Sequence, residues 1–327
     1  MSSVANLTIH ASQFPAQVRR DLLESLRMRR VNHKFHYDSL KQTQQWLALH
    51  QVYSPSRTDG DCAQTYDRSF EAATARIQKK RVHLIGLGCG GGQKDARLLR
   101  LLRDRGKEVC YTPCDVSTAM VLAARQTALA VIPGDHCFPL VCDLATAEDL
   151  LALFDSPGTR DAVRLITFFG MISNFEPELT LPKLASLVRS DNLLLFSANL
   201  APGSNYAVGV QRILPQYDNP LTREWLLTFL LDLGVERDDG ELRFTVEDGQ
   251  AGLKRVVAQF HFLQAREIRI EDERFKFCVD ESMRLFFSYR YTPALVRLQL
   301  AGHGLEVRDE WITPSEEEGV FLGVCRA

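Results

Sequence analysis

The sequence has no surplus of charge of either sign: Lys+Arg number 39 and Asp+Glu 41 in 327 residues. A nearly neutral chain carries no electrostatic footprint for nucleic acid or for an anionic membrane surface, so neither partner is expected. Residues 1–20 lack a continuous apolar core and read neither as a secretory signal nor as a membrane span, which makes a cytoplasmic location the expectation. CxxC pairs are missing among the eight cysteines, and Cys110-x3-Cys114 and Cys137-x4-Cys142 have no histidines spaced to complete a metal site. Cys89, Cys110, Cys114, Cys137, Cys142 and Cys325 lie in or beside apolar runs and read as buried free thiols, so no metal is expected.

What is present is ample material for a core, with 45% hydrophobic residues, at a length that suits one large or two medium domains. The chain is organised around Val82-His-Leu-Ile-Gly-Leu-Gly-Cys-Gly-Gly-Gly-Gln-Lys94. A short apolar, β-branched run passes into glycines and then into the helical pattern of residues 95–103, which reads as strand, tight turn and helix. Glycines at 86, 88, 90, 91 and 92 allow positive φ and a close approach of the backbone to a nucleotide-like group. Gly86-x-Gly88-x-x-Gly91 also passes as a weak dinucleotide fingerprint, so the motif alone leaves the ligand open.

Strand and helix then alternate: strands at 108–115, 136–143, 164–170 and 192–199, and helices at 117–130, 145–154 and 177–189. That is the pattern of a doubly wound α/β sheet with a mostly parallel core, whose ligands sit at the carboxyl ends of the strands. Asp115 and Asp143 end two of these strands. Asp115 follows the glycines at the distance suited to a carboxylate that takes both ribose hydroxyls, and Asp143 can accept from an adenine amino group. Each also precedes a helix and would serve as an N-cap, a serious competitor for either alone and a weak one for the pair. A nicotinamide cofactor explains Asp115 equally well but gives less reason for Asp143 and for the crowded Gly90-Gly91-Gly92. S-adenosylmethionine is the better expectation.

Beyond residue 200 the winding breaks. A helix at 221–233 is followed by loosely alternating runs at 255–263, 266–270 and 275–279, which suggest an antiparallel sheet. A helix at 293–301 and strands at 305–312 and 319–325 then return to the main sheet, the last strand antiparallel. Near the N-terminus, an amphipathic helix over 15–31 precedes His33 and His36, to which the sequence assigns no role.

Several motifs in order carry a resemblance: Lys34-Phe-His-Tyr-Asp38, Tyr53-Ser-Pro-Ser-Arg-Thr58, Gly88-Cys-Gly with Lys94, Tyr111-Thr-Pro-Cys-Asp-Val-Ser117, Phe169-Gly170 to Ser173-Asn174, Gln216-Tyr-Asp218 and Ser288-Tyr-Arg-Tyr-Thr292. From about residue 15 to the C-terminus the chain resembles the ergothioneine-pathway L-histidine Nα-methyltransferase family, S-adenosylmethionine enzymes that trimethylate the α-amino group of an amino acid. The resemblance implies a class I, Rossmann-like methyltransferase domain over 62–199 and 290–327. A smaller α+β substrate domain would take 1–61 and 200–289. It implies a cofactor set of Gly86, Gly88, Gly90, Lys94, Asp115, Asp143 and Gly170. Tyr37, Tyr53, Asn174, Tyr217, Phe286 and Ser288 would line the substrate site, with Asn174 and Tyr53 catalytic. Asn174 can orient an amine through its carbonyl oxygen, and tyrosine hydroxyls can bind a carboxylate or relay a proton.

The chain departs from the family where substrate is chosen. Phe286 stands where the histidine enzymes carry a glutamate that holds the imidazole, and a methionine of that pocket is replaced near Ala258. The loop from Gly170 to Asn174 is one residue shorter. Exchanging a buried acid for a phenyl ring removes an acceptor and weakens imidazole recognition by roughly 1–3 kcal/mol. The expectation is an N-methyltransferase acting on a small amino acid, with histidine the family default and another aromatic or apolar amino acid, or a related amine, the alternative. A catalytically idle relative that binds the cofactor and a nicotinamide dehydrogenase are the other classes considered. Asn174, Tyr53 and Tyr217 argue against idleness, because a mere binder has no use for a polar amine pocket.

Overall fold

The computed structural model describes residues 4–54, 58–155, 159, 161–189 and 191–326. The chain divides into two compact units, one of residues 1–13, 55–200 and 291–327 and the other of 14–54 and 201–290. Elements are numbered along the whole chain.

The first unit holds an eight-stranded sheet in the order β1-β4-β3-β2-β5-β6-β13-β12. Its strands are β1 (Thr8–Ile9), β2 (Arg81–Leu87), β3 (Glu108–Asp115), β4 (Leu140–Val141), β5 (Val163–Phe168), β6 (Leu193–Asn199), β12 (Leu305–Ile312) and β13 (Glu318–Cys325). All pairings from β1 to β6 are parallel, while β13 runs antiparallel to both β6 and β12. This is the mostly parallel α/β sheet that the alternating pattern implies, closed by an antiparallel strand. All of β2 but Arg81 is buried, as a strand covered on both faces requires. The helices of this unit are α3 (Gly60–Arg76), α4 (Gln93–Asp104), α5 (Thr118–Ala128), α6 (Leu150–Leu153), α7 (Pro177–Leu187) and α10 (Pro293–Gly302). Ala96, Leu98, Leu99 and Leu102 of α4 recur at helical spacing and enter one core with Val82 and Leu84 of β2 and Tyr66 and Phe70 of α3.

Two elements are shorter than their sequence patterns suggest. The run from 136 to 143 keeps only Leu140–Val141 as strand, because Pro139 has no N–H to give to a ladder. It stays beside β3 through Phe138 N–H donating to Tyr111 O (2.8 Å), and the Pro139 carbonyl instead receives Thr8 N–H (3.0 Å) from β1, a strand too short to show in the sequence. The helix expected at 145–154 is a single turn, Leu150–Leu153.

In the second unit, β7 (Gly240–Asp248), β8 (Lys254–Phe262) and β11 (Ser282–Arg290) form an antiparallel sheet in the order β11-β8-β7, and β9 (Arg266–Ile270) pairs with β10 (Glu273–Phe277) in a hairpin. Four helices accompany them: α1 (Pro15–Arg27), α2 (Leu40–Tyr53), α8 (Tyr206–Tyr217) and α9 (Pro220–Asp232). α9 lies where the sequence pattern puts a helix, α8 was not read from the sequence, and the prolines of both stand where helices tolerate them. Pro215 falls in the last turn of α8, and Pro220 is the first residue of α9, behind the Asn219 cap. Leu23, Leu26, Trp225, Phe229, Phe260, Phe262 and Phe286 share the core of this unit. Among the described residues no helix is long and apolar enough to cross a membrane.

Gly92, the residue before α4, has φ +73° and its missing Cβ would lie 2.8 Å from the backbone Cα of Ala124. Gly92→Ala combines a left-handed backbone with a backbone collision, so urea unfolding should show a loss of about 2 kcal/mol or more; an unchanged midpoint would contradict this geometry.

Candidate functional site

The glycine turn after β2 is built around a carboxylate that the sequence does not single out. Asp95, in the first turn of α4, is 3% exposed and accepts hydrogen bonds from Tyr111 Oη (2.6 Å) and Thr167 Oγ1 (2.8 Å). A Cβ at Gly86 would collide with Asp95 Oδ2, so residue 86 is glycine to leave room for this acid. Burial pushes the Asp95 carboxyl up to about 6, against the opposing hydroxyl hydrogen bonds and the Lys94 charge. Gly88, at φ +63°, lies against Met171, whose Cγ would be 2.6 Å from an added Cβ. The turn after β2 and the loop after β5 therefore meet, three residues before Asn174.

Asp115 closes β3 and reaches back to the turn: its Oδ2 accepts Gly90 N–H (3.1 Å) and its Oδ1 accepts Ser117 N–H (3.0 Å). Burial raises its carboxyl above the ordinary range, with the Ser117, Gly90 and Val116 amides working the other way. Asp143 stands at the end of the neighbouring strand segment, where Cys142 N–H donates to Asp115 O (2.9 Å). It is 4% exposed, its Oδ1 accepts Ala145 N–H (2.9 Å), and its own N–H donates to Ser12 Oγ (2.9 Å). Neither aspartate is a helix N-cap, since Ser117 caps α5 and Asp149 precedes α6. Gly170 follows β5 at φ +70°, its N–H donating to Ser197 Oγ (2.8 Å). Lys94 lies with Nζ 3.8 Å over the Tyr66 ring and 5.5 Å from the Phe169 ring centroid, while Tyr66 Oη donates to Glu318. Asn174 ends a short 3-10 turn, Ile172–Asn174, and is half-buried.

In the second unit, β11 presents Phe286, Ser288 and Arg290 at alternate positions. Tyr217, the last residue of α8, donates to Ser288 Oγ (2.9 Å) and accepts from Arg290 (2.7 Å). Its ring lies 6.2 Å from that of Phe286, Trp225 is 5.8 Å from Phe286, and Tyr37 is 5.5 Å from Trp225. Tyr37, Tyr217, Phe286 and Ser288 are thus one cluster, joined by Trp225 of α9, to which the sequence assigns no role. Ala258 sits directly across from Phe286 in the β8–β11 register, so the small side chain and the ring are cross-strand partners. Tyr53 ends α2 and is 48% exposed, and residues 55–57 of its motif lie outside the described residues.

His33 and His36 belong to the same cluster. The His33 ring is 5.1 Å from that of Phe286, and His36 is 5.2 Å from Trp225. His36 Nε2 bonds Leu285 O (2.7 Å), and its backbone carbonyl accepts Trp225 Nε1–H (2.8 Å). Burial holds both imidazoles neutral, His33 down to about 3 and His36 to about 4. The unfolded chain takes up protons near pH 6.5 and the native pair does not, so their contribution to stability, present above pH 6.5, is lost as pH falls toward 4. Denaturant midpoints measured between pH 7 and pH 4 should fall with pH, and His36→Phe should flatten that fall; an unaltered slope would show that His36 is not held neutral.

The sequence matches, over residues 18–324, the family model described as histidine-specific methyltransferase, SAM-dependent. Comparison with curated proteins finds no match. Similar solved structures include the CcbJ methyltransferase from Streptomyces caelestis, 14% identical over 80% of this chain and 90% of that one, with a TM-score of 0.40. A putative methyltransferase from Thermobifida fusca YX is 10% identical over 92% of this chain and 97% of that one, with a TM-score of 0.46. A Burkholderia thailandensis 1,6-didemethyltoxoflavin-N1-methyltransferase is 11% identical over 87% and 91%, with a TM-score of 0.40. With nearly its whole length matched, and a glycine turn and paired strand-end carboxylates in a mostly parallel sheet, the chain belongs to the family of histidine-specific, S-adenosylmethionine-dependent methyltransferases.

Proposed function

We propose that the protein transfers methyl groups from S-adenosylmethionine to the α-amino group of a small amino acid whose side chain is aromatic or apolar, histidine being the substrate in the family's description. The first unit fits the cofactor. Asp115 and Asp143 end adjacent strand segments, Gly88 and Gly90 keep positive φ, and the Cβ position of Gly170 is open, with nothing within 4 Å. In this reading Asp115 takes the ribose hydroxyls and Asp143 the adenine amino group. Gly86, Gly88, Gly90 and Gly170 let the backbone come close, and Lys94 offers its ammonium to the cofactor's carboxylate.

When bound, the cofactor supplies an electrophilic methyl group on a sulfonium. The chain then has to supply alignment and a neutral amine. Asn174 orients the amine through its side-chain oxygen, while Tyr53, Tyr37 and Tyr217 serve the amino and carboxylate groups. The guanidinium of Arg290, 6% exposed and hydrogen-bonded to Tyr217, supplies the positive charge that a carboxylate needs. Tyrosine faces also suit the quaternary ammonium that repeated methylation leaves, at about 0.5–2 kcal/mol per contact.

The observation that carries the substrate reading is Phe286, packed among Trp225, Tyr217 and His33 with Ala258 across the strand. Its ring gives apolar surface where an imidazole-binding acid would give charge. Mass spectrometry of the purified protein with S-adenosylmethionine and a panel of amino acids should show gains of methyl mass on aromatic or apolar members and little on histidine. Phe286→Glu should raise the ratio of kcat/KM for histidine over phenylalanine by about tenfold or more. Turnover on histidine alone would overturn the respecialised pocket and leave the family activity. Asp115→Ala should abolish binding of S-adenosylhomocysteine in calorimetry, whereas Asn174→Ala should keep that binding and lose turnover; full turnover by Asn174→Ala would remove this residue from the substrate site.

A further inference from the structure

One polar atom of the aromatic cluster has no part in the reaction as described. His33 lies edge-on to Phe286 (5.1 Å, 66°) and to Phe287 (5.5 Å, 80°), and its Nε2 is buried without a hydrogen-bond partner. The ring also bonds the backbone of Phe287, a contact that raises its pKa. Only an imidazole N–H donating to a carbonyl does so, which places the proton on Nδ1 and leaves Nε2 a bare acceptor. Burial, the neighbouring His36 and Arg284 keep the ring uncharged. His36, with centroids 6.0 Å away, repeats the arrangement in mirror image: Nε2 bonds Leu285 O, and Nδ1 is buried without a partner. A buried acceptor left unpaired costs stability, and its persistence calls for a donor that arrives with a ligand.

We propose that His33 is a specificity-determining residue whose Nε2 accepts a hydrogen bond from a neutral ring N–H or phenolic O–H on the side chain of an aromatic amino-acid substrate. The inference rests on the amino-acid N-methyltransferase reading and names the substrate class within it. A neutral acceptor beside a phenyl ring selects a flat, uncharged side chain with one donor, an indole or a phenol. A cationic side chain is disfavoured, because Arg284 acts on His33 and stands 5.0 Å from the Phe287 ring centroid. The acid of the histidine enzymes has an apolar replacement at 286, and the polar contact moves to a residue on a different element of the same cluster.

The test compares kcat/KM for tryptophan with 1-methyltryptophan and for tyrosine with O-methyltyrosine, using phenylalanine and histidine as references and S-adenosylhomocysteine binding as the control for an intact cofactor site. One donor-bearing substrate should exceed its methylated analogue by about tenfold or more, through KM. His33→Phe should bring that ratio close to one, and His33→Gln, which keeps an acceptor, should restore part of it. A ratio near one in the unaltered protein overturns the inference, as does a ratio that survives His33→Phe. Turnover confined to phenylalanine or histidine overturns it too, yet leaves the N-methyltransferase reading standing. If no amino acid is methylated while S-adenosylhomocysteine still binds, both fall. Should His33→Phe fail to fold, the analogue ratios of the unaltered protein and of His33→Gln decide.

Discussion

The first unit depends on a steric constraint at residue 86, where the backbone of β2 runs over the buried carboxylate of Asp95 and leaves no room for a Cβ. That acid takes a hydroxyl hydrogen bond from Tyr111 on β3 and another from Thr167 on β5, the two neighbours of β2 in the sheet. Three parallel strands and the start of α4 are therefore tied at one point, directly beneath the turn that carries Gly88 and Gly90. Burying a carboxyl costs free energy, and the two hydroxyls offset part of that cost while fixing where the turn begins. From there Gly90 reaches Asp115 and Gly88 meets Met171, so the ends of β2, β3 and β5 hold one another in register.

The second unit is organised by aromatic packing. Trp225 links Tyr37, His36 and Phe286, and the row of Tyr217, Ser288 and Arg290 runs beside them. A site lined this way distinguishes ligands by shape and by a few directed hydrogen bonds more than by charge. The phenyl ring of Phe286 is consistent with that character, and the two neutral imidazoles extend it.

Much of the fold was legible in the sequence. β3, β9 and β12 occupy the stretches that their alternation marks, and the glycine turn stands between a strand and a helix as its composition implies. Two of the elements that escaped have physical reasons: β1 is two residues long, and α8 is masked by Pro215 in its last turn. β7 went unread although Leu242, Phe244 and Val246 alternate with the exposed Glu241, Arg243 and Thr245. The antiparallel pairing of β11 with β8 was not readable either, since Phe286 and Phe287 are both largely buried and a bulge interrupts the ladder between Arg284 and Phe286.

Local chemistry along the chain determined the class of sheet, the glycine turn and the strand-end aspartates, because each follows from residue type and spacing. Contacts between residues far apart in sequence were decided only by the tertiary structure. Asp95 beneath Gly86, Lys94 over Tyr66, Ala258 opposite Phe286, and His33 with a neutral, unpartnered Nε2 all depend on burial and on partners brought from other elements. Desolvation and orientation have no signature in a linear pattern, so the sequence showed which groups are present while the fold decided which of them are charged, paired or left as acceptors.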